Sequence, residues 1–464
     1  MATPRPVPHR APAPDRLALR GDLLDFSAAP AWGDTAPSNV RWRADHWLLI
    51  DSGRIVGVQP ASQPPGPDWQ CEDHRGRLIL PGFIDTHVHS AQLDVIGSYG
   101  AELLDWLETY TFPAETRYAD AAVAAAGAAD FLDALLAHGT TSAVVFPTVH
   151  KVSADTLFAA AAERGMRLIT GKVLMDRHAP DGLRDDVAQA ERDCVDLIAR
   201  WHGRDRLAYA VTVRFAPTST PAQLAMAGAL CAATPGLYMQ THVAENKAEV
   251  QWVRELFPEA RSYLDVYARA GLLGPRSVLA HGIWLDAADR ALLAKSGAQI
   301  AHSPSSNLFL GSGLFGWRAA EQAGAAVSLA SDVGGGTSLS MLRTMADAYK
   351  VQALAGERLT AWKAIHAATR GAAVALGLEH EIGSFDTGCA GDVCIWDWAV
   401  GAVATHRLER ARELHERAFA WITLGDERNL VAAYVAGRER FRREGDNPGD
   451  TPAAGRNAAA THND

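Results

Sequence analysis

The sequence lacks the paired cysteines on which disulfide-bonded domains and cysteine-based zinc sites depend. Its 464 residues contain five cysteines, an odd number, and no Cys-x-x-Cys motif. Both kinds of domain are therefore excluded, and the reducing cytoplasm is the expected location. The first 14 residues are rich in proline and contain no apolar run, so no secretory signal is expected.

Long apolar runs and clusters of basic residues are also missing. No stretch reaches the roughly 18 consecutive apolar residues of a membrane-spanning helix. Acidic residues outnumber lysine and arginine by 54 to 44, which gives a formal net charge of -10. The most basic stretch, 438–443, is interrupted by Glu439 and Phe441. We therefore expect neither a nucleic-acid partner nor a membrane partner, and the apolar fraction of 48% is typical of a globular protein.

The two ends of the chain differ from its middle. Segments 46–59, 391–399 and 429–441 are apolar runs that predict strands, with a Ser-Gly turn in the first and an Ala-Gly turn in the third. Strands at both ends predict one small β-sandwich domain built from the two termini. The predicted organisation is a disordered tail at 1–15, a composite small β domain at 16–80 and 386–442, a catalytic barrel at 81–385, and a disordered tail at 443–464.

Eight short apolar strands alternate with Ala- and Leu-rich helical stretches between these ends. This alternation predicts an α/β fold, a (β/α)8 TIM barrel. A doubly wound open sheet is the alternative, but no G-x-G-x-x-G follows the first strand. The predicted strands are Gly82–Val88, Ser142–Phe146, Leu168–Leu174, Leu207–Val213, Leu237–Thr241, Ser277–His281, Gln299–His302 and Ala326–Ala330.

Polar side chains follow these strands at their carboxyl ends, where such barrels place their active sites. His87 and His89 are two residues apart, so they point to the same face of an extended strand. The fifth, sixth and eighth strands end at His242, His281 and Asp332. Each of these residues alone is more typical of a packed histidine or a cap, but together they predict one metal site. Imidazoles with a carboxylate suit zinc or another divalent ion.

An ion held by few neutral ligands lowers the pKa of its bound water to about 7, and attack by the resulting hydroxide needs a proton shuttle. Glu245 follows His242 by three residues and can fill that role, although a helix-start acid is the plainer interpretation. The fourth strand, AYAVTVRFAP, offers no Lys, Glu or Cys to bridge a second ion. A mononuclear site is therefore favoured. The H-x-E…P-C-x-x-C signature of cytidine-type zinc deaminases is missing.

The motif PGFIDTHVH, together with the later His, His and Asp, resembles the amidohydrolase superfamily in its mononuclear deaminase arrangement. Longer segments narrow the resemblance to the guanine deaminase family and extend it over roughly residues 16–442. These segments are LDVIGSYGAELLDWLETYTFPAE (93–115), RFAPTSTPAQL (214–224), SPSSNLFLGSGLF (303–315), SDVGGGTSLSML (331–342), RLALRGDLLDF (16–26) and LGDERNLVAAYVAGR (424–438).

The resemblance implies a role for each matching residue. It assigns one zinc ion per subunit, with iron as an alternative, to four ligands: His87, His89, His242 and Asp332. Glu245 is implied as the proton shuttle and His281 as the histidine that polarises water, with Asp332 also taking part in catalysis. The residues implied to contact the purine are Gln92, Arg214, Phe215 and His242.

By the same resemblance, the expected reaction is hydrolysis of guanine to xanthine and ammonia in purine catabolism, by a cytoplasmic homodimer. The sequence departs from the family pattern at His178, Val213, Val243 and Ala244, which leaves the base preference slightly open. A related enzyme that acts on 8-oxoguanine or a triazine is the first alternative. A barrel scaffold without catalytic activity is the second.

Overall fold

The computed structural model describes residues 15–99 and 103–446. The strands of these residues are, in chain order, β1 (Arg16–Phe26), β2 (Val40–Asp51), β3 (Arg54–Pro60), β4 (Gln70–Pro81), β5 (Phe83–His89), β6 (Thr140–Phe146), β7 (Arg167–Thr170), β8 (Val173–Leu174), β9 (Leu207–Val213), β10 (Tyr238–Val243), β11 (Ser277–His281), β12 (Gln299–His302), β13 (Ala326–Leu329), β14 (Val393–Trp396), β15 (Leu430–Val435) and β16 (Arg438–Arg442).

The helices of the same residues are α1 (Leu103–Trp106), α2 (Phe112–Thr116), α3 (Ala121–Ala137), α4 (Lys151–Arg164), α5 (Val187–Trp201), α6 (Pro221–Ala233), α7 (Lys247–Leu256), α8 (Tyr263–Arg269), α9 (Ala287–Ser296), α10 (Pro304–Phe309), α11 (Trp317–Gln322), α12 (Met341–Leu354), α13 (Ala361–Ala367), α14 (Arg370–Ala375), α15 (Ala402–Leu408) and α16 (Leu414–Leu424). None of them combines the length and apolar character that a bilayer span requires.

The parallel strands β5 to β13 form the barrel predicted from the sequence. They pair in chain order, and β7 and β8 both pair with β9 as two parts of the third strand. The break falls at Gly171 and Lys172. Glycine fits there because a Cβ at residue 171 would collide with the carbonyl oxygen of Ala210. Every residue of β5, β6 and β9 is buried, as expected for parallel strands covered on both faces.

The first and last barrel strands meet at a seam that joins residues of the predicted metal site. The Asp332 amide donates to the carbonyl oxygen of His87 at 2.9 Å, and the His89 amide donates to that of Val333 at 2.9 Å. Deeper in the seam, the Thr86 hydroxyl donates to the carbonyl oxygen of Leu329 at 3.0 Å. Closure of the barrel therefore brings residue 332 beside residues 87 and 89.

Apolar side chains fill the barrel interior below the site. One core cluster takes small or branched residues from successive strands, including Ile84, Val144, Ile169 and Val278. The same cluster contains Leu376, and the Tyr238 hydroxyl donates to the carbonyl oxygen of that residue at 2.7 Å. The interior is thus a packed floor, and ligands can enter only from the carboxyl end of the strands.

The remaining strands form a separate sheet from both ends of the chain. Its order is β16-β15-β14-β4-β1-β2-β3, with β1 parallel to β4 and the other neighbours antiparallel. The predicted hairpin turns are present: Ser52 and Gly53 have φ of 50° and 79°, and Ala436 and Gly437 have φ of 46° and 70°. Such left-handed pairs match the twist of adjacent strands.

The barrel and the small β domain from both chain ends confirm the predicted fold class. Within the small domain, hydrogen bonds join all seven strands in one continuous sheet, where the sequence predicts a sandwich. The reason is that β4 pairs with β1 along residues 70–79 and with β14 along residues 78–81, and so joins the strands of both chain ends. The tails predicted at 1–15 and 443–464 lie outside the described residues except for residue 15 and residues 443–446.

Candidate metal centre and active site

Four predicted ligands converge at the carboxyl end of the barrel. Their candidate ligand atoms all lie within 4.8 Å of one another. Nε2 of His89 is 3.2 Å from Nε2 of His242, and Oδ1 of Asp332 lies 3.1 Å from Nε2 of His87 and 3.3 Å from Nε2 of His89. The four residues are His87, His89, His242 and Asp332.

Local backbone structure explains this convergence. His87 and His89 share one face of β5, while His242 lies near the end of β10. Asp332 adopts φ of 52° directly after β13, in the left-handed region that aspartate tolerates better than most residues. This conformation, fixed by the seam hydrogen bond from its amide, points its side chain back toward the two histidines of β5.

Hydrogen bonds to the second ring nitrogen orient two of the histidines. Nδ1 of His242 lies 2.6 Å from the carbonyl oxygen of Arg214. Because a carbonyl oxygen can only accept a hydrogen bond, this Nδ1 carries the proton. Nδ1 of His281 lies 2.8 Å from Oδ1 of Asn307. In both rings, Nε2 is therefore the nitrogen with a free lone pair, as in metal sites where a second contact fixes the tautomer.

The donor atoms of the cluster fit a cation better than they fit each other. Nε2 of His87 and Nε2 of His281 are buried and make no hydrogen bond of good geometry within the described residues, although carboxylate oxygens of Asp332 and Glu245 lie 3.1 and 3.4 Å from them. Buried polar atoms are rarely left unpaired unless a ligand, ion or water satisfies them. Three imidazole nitrogens and one carboxylate oxygen at this separation are a donor set that a divalent ion accepts.

The pKa values of these groups favour the protonation states that bind metal. Burial lowers the pKa of His87 to about 4 and holds that of His242 well below its usual value. Burial alone would raise the pKa of Asp332, but the adjacent His87 and His281 hold it well below its usual value. Neutral imidazoles beside an ionised carboxylate are the forms that coordinate a metal.

Glu245 lies next to the cluster in a position to transfer protons. Its Oε2 is 3.4 Å from Nε2 of His281, and the Ser312 hydroxyl donates to its Oε1 at 3.0 Å. Burial raises the pKa of Glu245 to about 7, so this carboxyl group can both accept and donate a proton near neutral pH.

The capping box of α7 fixes the backbone of Glu245. Oε2 of Glu249 accepts from the amides of Glu245 and Asn246 at 3.0 and 3.1 Å. The Tyr263 hydroxyl donates to Oε1 of Glu249 at 2.6 Å. Four residues later in the same helix, α8, the Tyr267 hydroxyl donates to the carbonyl oxygen of His242 at 2.8 Å. The helix-start interpretation of this segment and a chemical role for Glu245 are therefore compatible, because Glu249 supplies the cap.

A cleft lined by both polar and apolar side chains opens above the cluster, as is common in small-molecule sites. The predicted base-contacting residues line it together with Glu245, His281 and Asp332; they are Gln92, Arg214, Phe215 and His242. Leu103, Trp106 and Leu107 add apolar surface from the segment after β5. There α1, a π-helical turn at Leu107–Thr111 and α2 run on as one helix.

Glu115 is a site residue that sequence reasoning missed. Its buried carboxylate accepts from Nη1 of Arg214 at 2.9 and 2.7 Å and from Nε2 of Gln92 at 3.0 Å. The only signal in the sequence is an acid at the end of an aromatic segment, which does not reveal its partners. Asn307 was also missed, because the sequence does not reveal its contact with His281.

Three other notable residues lie outside the metal cluster. His302 is fully buried against the rings of Phe315 and Trp317, and burial lowers its pKa to about 3. Lys172 donates to Oδ1 of Asp185 at 2.5 Å. Val213 ends β9 and is buried, and the next amide, that of Arg214, donates to the carbonyl oxygen of Leu174 at 3.2 Å.

Sequence comparison extends this geometry to known proteins. The Amidohydrolase family model matches residues 78–440. A guanine deaminase from Escherichia coli (strain K12) is 42% identical over 429 residues, which cover 92% of this chain and 98% of that protein.

Solved structures are similar over the same extent. An E. coli guanine deaminase superposes with a TM-score of 0.89 and 40% identity, covering 92% of this chain and 99% of the other. A guanine deaminase from C. acetobutylicum with bound guanine in the active site has a TM-score of 0.82 and 28% identity, covering 92% and 100%.

Proposed function

The chain belongs to the amidohydrolase family, among its guanine deaminases, and from this membership we propose that it hydrolyses guanine to xanthine and ammonia. One observation carries the proposal. A protonatable carboxyl group and a His₃Asp cluster lie at the floor of one cleft whose wall holds the side chains of Gln92, Arg214 and Phe215. Attack of water on a purine needs both a cluster that activates the water and a carboxyl group that transfers its proton.

We propose that the cluster holds one zinc ion per subunit, with His87, His89, His242 and Asp332 as its ligands. The unpaired nitrogens of the cluster support a metal, and iron accepts the same donors. A divalent ion bound there would act as a Lewis acid and lower the pKa of water to about 7. Elemental analysis of the purified protein before and after chelation identifies the ion.

Glu245 would move protons between water and the base. As a carboxylate, it takes a proton from the water that attacks C2 and gives it to a ring nitrogen, which removes the aromatic resistance to attack. His281 lies between Glu245 and Asp332, with its Nε2 at 3.4 and 3.6 Å from their oxygens, and would orient the water. Asp332 would take the second proton of that water from the new hydroxyl group at C2 and pass it to the amine, which leaves as ammonia when the C2–N bond breaks and the C2 carbonyl forms.

The cleft wall would recognise the base by its edge and its face. Guanidinium and amide groups such as those of Arg214 and Gln92 match the carbonyl and ring nitrogens of guanine. Phe215 packs against Trp252 with ring centroids 6.3 Å apart and offers an aromatic surface for the flat ring. Arg214 would bind the carbonyl oxygen, and Phe215 would contact the ring.

A spectrophotometric assay with purified protein tests the proposal. Guanine absorbance should fall with the release of ammonia, and a chelator should stop the reaction until zinc is restored. A panel of guanine, 8-oxoguanine, adenine, cytosine and a triazine separates this function from its alternatives. Failure to consume guanine while another heterocycle is turned over would overturn the proposal. Absence of both turnover and metal would favour the non-catalytic scaffold.

The cellular setting follows from the same proposal. We propose a cytoplasmic homodimer that acts in purine catabolism. Five free cysteines support a reducing location. Exposed apolar side chains close together in the sequence, at Leu308, Phe309 and Leu314, support an interface, since exposed apolar groups can mark contact surfaces. Light scattering on the purified chain measures the oligomeric state.

A further inference from the structure

The wall of the cleft contains a buried carboxylate to which the proposed reaction gives no task. Glu115 is fully buried, and Arg214 beside it is 3% exposed. Nη1 of Arg214 donates to both oxygens of Glu115, and Nε2 of Gln92 donates to Oε1. Both side chains proposed to recognise the base are therefore held by this one residue.

The first consequence concerns the direction of the donors. Nε2 of Gln92 donates to Glu115 at 3.0 Å, while the Gly334 amide donates to Oε1 of Gln92 at 3.1 Å. These two contacts distinguish the nitrogen of the Gln92 side-chain amide from its oxygen. Arg214 contacts Glu115 through Nη1. Within the described residues, Nη2 and Nε of Arg214 therefore remain as donors for a ligand. The guanidinium also lies 5.3 Å from the ring of Phe112, which limits its rotation.

The second consequence concerns charge. An arginine buried without a counterion would attract anions strongly, because the low dielectric around it screens little of its charge. Glu115 compensates that charge inside the protein wall, on the side away from a ligand. The cleft wall then offers oriented donors without a net positive charge, which suits a neutral purine. An anionic purine gains little from such a wall.

We propose that Glu115 is a positioning residue that aligns Arg214 and Gln92 and, by cancelling the arginine charge, makes the cleft select neutral purines over anionic ones. The inference rests on the proposed function, and it adds a reason for product release. Xanthine is a stronger acid than guanine, so a compensated arginine avoids retaining the product as its anion. The residue acts through Arg214 and Gln92, and its own contacts are with them.

The test compares guanine kinetics with the binding of urate, a purine monoanion at neutral pH, measured by calorimetry on the metal-loaded enzyme. In Glu115→Gln, we expect the KM for guanine to rise by about tenfold or more, with kcat changed much less, because uniform binding is lost. We expect the Kd for urate to fall by about tenfold or more, since the arginine charge is now uncompensated. A purely structural role would weaken both ligands together.

Further variants separate charge from geometry. Glu115→Asp keeps the charge but shortens the side chain, so the KM for guanine should rise while urate binding stays weak. Adding Arg214→Gln to Glu115→Gln should abolish the gained affinity for urate. Glu321→Gln is the matched control, because this carboxylate pairs with Lys363 at 2.9 Å away from the cleft and should leave both measurements unchanged.

Two results would overturn the inference: a parental KM in both Glu115 variants, or unchanged urate affinity in a folded Glu115→Gln enzyme. If Glu115→Gln does not fold, Glu115→Asp decides, because a parental KM there contradicts the positioning role. If the parent protein does not consume guanine, the proposed function fails by itself. Calorimetry with urate still decides the charge claim in that case.

Discussion

The barrel rim and the small sheet both bury charged groups, but they treat them differently. In the small sheet, Glu72 accepts from Tyr434 and Arg442, each at 2.7 Å. At the rim, the candidate ligand atoms of His87, His89, His242 and Asp332 all lie within 4.8 Å of one another. The sheet thus neutralises its buried carboxylate with an arginine of the same sheet, whereas the rim brings several potential ligand atoms to one point. Convergence of several ligand atoms therefore marks a site more sharply than one unpaired buried atom, because Nδ1 of His74 and Nη1 of Arg442 in the small sheet also have no hydrogen-bond partner among the described residues.

Removing a ligand from the rim should give the largest effect. In His87→Ala, we expect bound metal to fall from about one ion per chain to near zero and guanine turnover to fall to background, because one of four donors is lost. Elemental analysis of the purified variant measures the first quantity. The control His138→Ala, whose ring lies 2.7 Å from the carbonyl oxygen of Ala134 at the end of α3, should keep its metal. Full occupancy in His87→Ala would contradict the ligand assignment.

The proton shuttle should give the next largest effect and separate chemistry from metal binding. In Glu245→Gln, kcat should fall by about 10²–10⁴, the usual contribution of general acid–base catalysis, with metal content unchanged. Glu255→Gln changes an exposed glutamate of α7 and should behave like the parent. Turnover at the parental rate in Glu245→Gln would remove that residue from the mechanism.

The same kind of change in the small sheet should affect stability and leave activity intact. Oδ1 of Asp25 accepts from Arg41 at 3.0 Å and from Arg43 at 3.2 Å, and Oδ2 accepts from the Phe385 amide at 2.8 Å. Asp25→Asn should lower the free energy of unfolding by about 3 kcal/mol, the lower end of the effect of breaking a buried ion pair, because Arg43 loses its carboxylate partner while Arg41 keeps Asp386.

Denaturant titration measures this loss, and kcat at a permissive temperature should match the parent. Asp68→Asn, at an exposed position with one ion-pair contact at 4.0 Å, is the control and should change little. A large drop in kcat for folded Asp25→Asn would mean that the two regions are coupled.

The smallest effect concerns acid stability. Burial alone would raise the pKa of Glu72, but hydrogen bonds from His74 and Tyr434 and the charge of Arg442 lower it to about 2. A folded-state pKa below the unfolded value means that the stabilisation is present above about pH 4.5 and is lost as pH falls toward 2. Glu72→Gln should therefore cost about 1.5–3 kcal/mol at pH 7 and progressively less below pH 4.5. An equal cost at pH 7 and pH 3 would contradict the shift.

The metal cluster was predictable because strand ends in a barrel share one rim. His87, His242 and Asp332 each follow an apolar run, and the eightfold alternation puts those ends together. Glu115 was not predictable from spacing, since a helical segment after β5 can approach any of several strands. The division of the third strand at Gly171 depends on contact with a neighbouring strand, which a single sequence does not reveal. The single small sheet depends on the pairing partners of β4, for the same reason.

The seam between β5 and β13 has a consequence for biosynthesis. The first two metal-site histidines leave the ribosome early, while Asp332 emerges more than 240 residues after them. A nascent chain that has made only β5 to β12 holds the histidines without their carboxylate and without the neighbour that closes the barrel. We therefore expect the ion to be acquired only after translation has passed the last barrel strand, by a finished barrel and not by a growing one.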